Sequence, residues 1–107
     1  MRVEVYSWVD GSLEDELIDA NVETPDELED ILIEAFSNLF DTIIYIYPSA
    51  VDFYSTDGHG EARIDYFYED AEIDYRNSNG SLFIYKAPQG VDEAISDITL
   101  DFLYDFK

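Results

Sequence analysis

Twenty-six Asp and Glu residues share this chain with five Lys and Arg, for a formal net charge of −21. That imbalance restricts the fold more than any other feature. Most carboxylates have no cation to pair with, and burying an unpaired charge is prohibitively costly. Each helix and strand must therefore keep a wet acidic side and bury another. Apolar residues make up 47% of the chain, with nine Tyr and seven Phe, and supply that second side. Disordered acidic segments are poor in aromatics, so this composition predicts a folded chain. At 107 residues it predicts a single compact acidic domain over 1–107, with one core.

The apolar pattern predicts an α+β fold. "RVEVYSWV" (2–9) alternates Val3, Val5, Ser7 and Val9 against Arg2, Glu4, Tyr6 and Trp8, as a strand does. "DGSLEDELIDANVE" (10–23) reads as a short irregular helical turn with Leu13, Leu17 and Ile18 inward. "TPDELEDILIEAFSNLF" (24–40) reads as a helix with Thr24 as N-cap, Pro25 at N1 and Glu27 closing a capping box. Its core stripe is Leu28, Ile31, Leu32, Ala35, Phe36 and Leu39. Strands are expected at "TIIYIY" (42–47), "AVDFYS" (50–55), "EARIDYFYE" (61–69), "AEIDYRN" (71–77) and "SLFIYKA" (81–87). Turns are expected at "TDGHG" and "NSNG". "VDEAISDITLDFLYDF" (91–106) closes the chain as a second amphipathic helix, with Val91, Ala94, Ile95, Ile98, Phe102 and Phe106 inward. The expected order is β-α-β-β-β-β-β-α, an antiparallel meander of about five to six strands packed with two helices.

Little in the sequence points to catalysis, and no enzyme activity is expected. His59, the single histidine, lies between two glycines in "DGHG" and reads as a turn residue. There is no cysteine, no nucleophile-elbow motif and no glycine-rich phosphate loop. Residues 75–86 approach a calcium loop at Asn77, Asn79 and Gly80. They depart from it at Tyr75 and Lys86, which hold the first and twelfth positions. No cofactor or metal is therefore expected. Neither an apolar run of membrane-spanning length nor a secretory leader pattern is visible, and zero cysteines suit a cytoplasmic setting.

The charge itself is the functional signal. A folded chain of this mass exposes about 6,100 Å², or about 290 Å² per excess charge. B-DNA, taken as a cylinder about 20 Å across, carries one charge per roughly 110 Å². Concentrated on one face, the carboxylates could match that density. Glu93, Asp97, Asp101 and Asp105 stand four apart, as do Asp26, Asp30 and Glu34 on the first helix. Residues four apart share a helix face in steps of about 6 Å, close to the phosphate spacing along a DNA strand. Asp65, Glu69, Asp70, Glu72 and Asp74 add carboxylates around the central hairpin, with Tyr68 and Tyr75 as candidate stacking residues.

In size, charge and lack of cysteine the chain resembles small acidic phage and mobile-element proteins that block restriction enzymes, CRISPR nucleases or DNA-repair enzymes. That resemblance implies a nucleic-acid mimic that occupies the basic surface of a nucleic-acid-binding protein, a nuclease above all, and binds no nucleic acid itself. An immunity protein against a cationic nuclease toxin would use the same physics. A salt-adapted binding module and a divalent-cation binder are the alternatives from other classes.

Overall fold

A computed structural model describes residues 1–47, 62–70, 72–77, 80–86 and 90–102. The elements are β1 (Arg2–Val9), β2 (Ser12–Asn21), α1 (Pro25–Ser37), β3 (Thr42–Tyr47), β4 (Ala62–Phe67), β5 (Glu72–Arg76), β6 (Leu82–Lys86) and α2 (Val91–Asp101). The strands form one antiparallel sheet in the order β2-β1-β3-β4-β5-β6. The class is α+β, as the periodicity predicted. The strand expected at 50–55, the "DGHG" turn with His59, and Phe106 lie outside the described residues.

One expected element is overturned. Residues 12–21 are a strand, not a helical turn. Asp10 (φ 50°) and Gly11 (φ 84°) both occupy the left-handed region and close a tight hairpin between β1 and β2. Two positive φ angles in succession are what a type I′ turn demands, and Asp-Gly supplies them at low cost. The β1–β2 register then slips twice, between Val5 and Tyr6 and between Tyr6 and Trp8. Each slip is a bulge that breaks the two-residue alternation. The buried Ser7 hydroxyl accepts the Asp15 backbone N–H at 3.0 Å, satisfying an amide that the irregular ladder leaves over.

The core forms on one side of the sheet. Register aligns Val5, Ile44, Ile64 and Tyr75 across four strands, and Val3, Ile46 and Ala62 across three. All of these are buried, and the same cluster takes in Leu28, Leu32 and Ala35 from α1 and Ala94, Ile95 and Ile98 from α2. Both helices therefore cover one face. At the start of α1 the Thr24 Oγ1 accepts the Glu27 N–H at 3.3 Å, and the Glu27 carboxylate accepts the Glu23 N–H at 3.0 Å. The capping box reaches one residue further back than its usual form. α1 ends at Ser37, three residues short of the expected limit. The Asn38 side chain donates to the Ala35 carbonyl and accepts the Phe40 N–H at 2.8 Å, turning the chain out of the helix. Leu39, expected in the core stripe, is consequently 67% exposed.

Candidate protein-interaction surface

The sheet divides the molecule into two electrostatically unlike sides. On the uncovered face, register brings together Arg2, Glu4 and Asp19 at one end and Arg63, Asp65, Asp74 and Arg76 further across. Arg2 donates to both Asp19 carboxylate oxygens, at 3.2 and 3.1 Å, and lies 3.7 Å from Glu4. Arg63 donates to Asp65 at 2.7 Å. Glu72 stands directly across from Lys86. Arg63, Asp65, Asp74, Arg76 and Leu82 line a shallow depression of ≈ 270 Å³. Four of the chain's five basic residues thus lie on this one face; the fifth is Lys107.

Tyrosines occupy the rest of that face. Tyr6 meets Tyr45 edge-on with centroids 6.0 Å apart, and Tyr45 stacks beside Tyr47 at 6.5 Å. The Tyr6 hydroxyl donates to Glu4. That bond, burial and the nearby Glu4, Glu16 and Asp19 charges push its pKa up to about 12. The alternation in "TIIYIY" held the signal for this cluster, because Tyr45 and Tyr47 share a pleat opposite Ile44 and Ile46.

The helix side is different in kind. α1 carries Asp26, Glu27, Glu29, Asp30 and Glu34, and α2 carries Asp92, Glu93, Asp97 and Asp101, all exposed. Neither helix contains a Lys, Arg or His. Acidic residues in the first turn of each helix suit the positive end of its dipole. Glu34 and Asp101 lie towards the opposite ends, where negative charge is unfavourable. Ile33 and Leu100, 49% and 58% exposed, are apolar side chains on the same outward layer. Among the described residues no three acidic or histidine side chains converge as a metal site.

The acidic residues singled out from the sequence, with Tyr68, therefore separate into three groups. Asp26, Asp30, Glu34, Glu93, Asp97 and Asp101 belong to the single-sign helix layer, while Asp105 lies outside the described residues. Asp65, Glu72 and Asp74 are half-buried among Arg63, Arg76 and Lys86 on the open sheet face, so they form no uninterrupted acidic row. Tyr68, Glu69 and Asp70 are exposed in the β4–β5 turn, where the Tyr68 N–H donates to Asp41 at 2.8 Å.

Tyr75 is a correction. It is 0% exposed and packs against the Phe83 and Phe102 rings, at 5.8 and 6.3 Å, so it belongs to the core and offers no surface for binding. Among the described residues no helix is long and apolar enough to cross a membrane. Comparison with known proteins finds no matching family model, no matching curated protein and no matching solved structure.

Proposed function

We propose that the chain is a nucleic-acid-mimicking inhibitor whose helix layer occupies the basic cleft of a nuclease or a related nucleic-acid-binding enzyme. The observation that carries this reading is the segregation of charge. Nine exposed carboxylates stand on two adjacent helices that hold no cation, while the basic residues of the described chain gather on the opposite sheet face. A surface shaped only for solubility mixes both signs. A single-sign layer accepts repulsion between neighbouring carboxylates, which a cationic partner would relieve. Arg and Lys that hold phosphates would pair with the carboxylates through charge-assisted hydrogen bonds. The exposed Ile33 and Leu100 would add apolar contact on the same helices. Long-range attraction would speed encounter and make it salt-sensitive.

The test is to titrate the protein into cleavage reactions of a panel of restriction, CRISPR and repair nucleases. The reading expects inhibition of at least one. That inhibition should be relieved by excess non-cleavable duplex and by salt approaching roughly 0.5 M. Inhibition that ignores competing duplex would favour the immunity-protein alternative, and no inhibition across the panel would count against both.

A further inference from the structure

The two edges of the sheet are built differently. Edge strands expose unpaired N–H and C=O groups, and proteins blunt them with charges, bulges and cover. β2 has such protection, with two register slips and Glu14, Asp15, Glu16 and Asp19 within one strand. β6 does not. It pairs with β5 in unbroken register from Leu82 to Lys86, and among the described residues nothing pairs with its outer side. Leu82, Phe83 and Ile84 are 50%, 40% and 55% exposed, and Lys86 is the strand's one charge.

We propose that the outer edge of β6, unpaired among the described residues, is a docking strand for an extended segment of a partner protein in which Lys or Arg alternates with apolar residues. The occupant follows from what flanks the edge. α2 lies in contact with β6, and Tyr85, on the helix side of that strand, packs against the core cluster that includes Ala94, Ile95 and Ile98, so the α2 acidic row stands beside the strand. In keeping with this, burial and then the Asp97, Asp101 and Glu93 charges raise the Tyr85 pKa. A second copy pairing here would bring two such rows together, and like charges oppose that. A cationic strand would meet complementary charge instead.

The spacing also fits. Carboxylates four apart on a helix advance by about 6 Å, and alternate residues of a strand by about 6.6 Å. Basic side chains on one pleat of the added strand could therefore meet Glu93, Asp97 and Asp101 in turn. The apolar side chains of the other pleat would fall beside Leu82 and Ile84, which register places on the open face. Backbone hydrogen bonds would supply affinity, and the alternating pattern specificity. This goes beyond nucleic-acid mimicry, because it rests on the β6 backbone and holds for a partner that binds no DNA.

The probe is a synthetic peptide of about ten residues, roughly the length of a long strand, alternating lysine with valine. A peptide of the same composition with its lysines in one block is the control. The expected result is slowed amide exchange in residues 82–86 of the full chain and about tenfold tighter binding of the alternating peptide. The Ile84→Lys variant, at a solvent-facing position, should keep the fold and lose that preference. Equal binding of the two peptides, or unchanged exchange in 82–86, would overturn the proposal by reducing the effect to diffuse charge attraction. Dimers that protect 82–86 without peptide would also overturn it, with a second copy as occupant. None of these readouts involves a nuclease, so failure here is distinct from failure of the mimic reading.

Discussion

At the residue scale, single contacts make sharp predictions. Tyr6 is held neutral by its hydrogen bond to Glu4 and by the surrounding carboxylates, with its pKa pushed up to about 12. A folded-state pKa above the unfolded value means that the native state holds the proton more tightly. The associated stability is complete below about pH 10 and is lost as the pH rises through about 12. The Glu4→Ala variant should bring Tyr6 ionisation down towards 10, read as a lower midpoint for the Tyr6 ring signals in an NMR titration. An unmoved midpoint would assign the shift to burial instead. Thr99 offers a second test, because its hydroxyl is buried on α2 and has no hydrogen-bond partner among the described residues. Thr99→Val keeps the shape and removes the unsatisfied group, so it should stabilise the fold by about 1 kcal/mol in chemical denaturation. Residue-level legibility was uneven. Alternation places Ile73 and Tyr75 on one pleat, but only the stacked Phe83 ring and the edge-on Phe102 ring reveal that Tyr75 is sealed in the core.

At the scale of elements, the sequence was most readable where one periodicity ran unbroken. α1 announced itself through Thr24, Pro25 and Glu27 and its buried stripe, and β3 to β6 through alternation and turn chemistry. β2 imitates a helical turn in sequence for a physical reason. Its bulges displace the two-residue rhythm, and Leu13, Leu17 and Ile18 then fall at spacings that imitate a helix. As an edge strand it buries little, so hydrophobicity gave no second signal. Asp10-Gly11 was the available clue. Gly11→Ala, at a φ of 84°, should destabilise the protein by about 1 kcal/mol, measured as a lower denaturation midpoint. A neutral effect would mean that the hairpin relaxes to another turn.

At the scale of the whole molecule, net charge was legible from composition, but its distribution was not. No periodicity in one dimension could show that Arg2, Arg63, Arg76 and Lys86 gather on one sheet face and leave the helix layer unbalanced. That distribution ties stability to salt. Screening should relieve repulsion across the helix layer, so the denaturation midpoint should rise between about 0.05 and 0.5 M NaCl. Changing Asp26, Asp30, Glu34, Glu93, Asp97 and Asp101 to amides should raise stability at low salt by a few tenths of a kcal/mol per site. The gain should fade as salt increases. Equal salt responses of the two proteins would place the repulsion elsewhere.

The most direct measurement compares that helix-layer variant with one carrying amides at Asp65, Glu72 and Asp74 on the open sheet face. Each is titrated against a nuclease that the unmodified protein inhibits, with and without competing duplex. The account predicts that the helix-layer variant loses duplex-competed binding by at least about a hundredfold, while the sheet variant stays within a few-fold of the unmodified protein. The reverse ranking, or full binding without the six helix carboxylates, would contradict it.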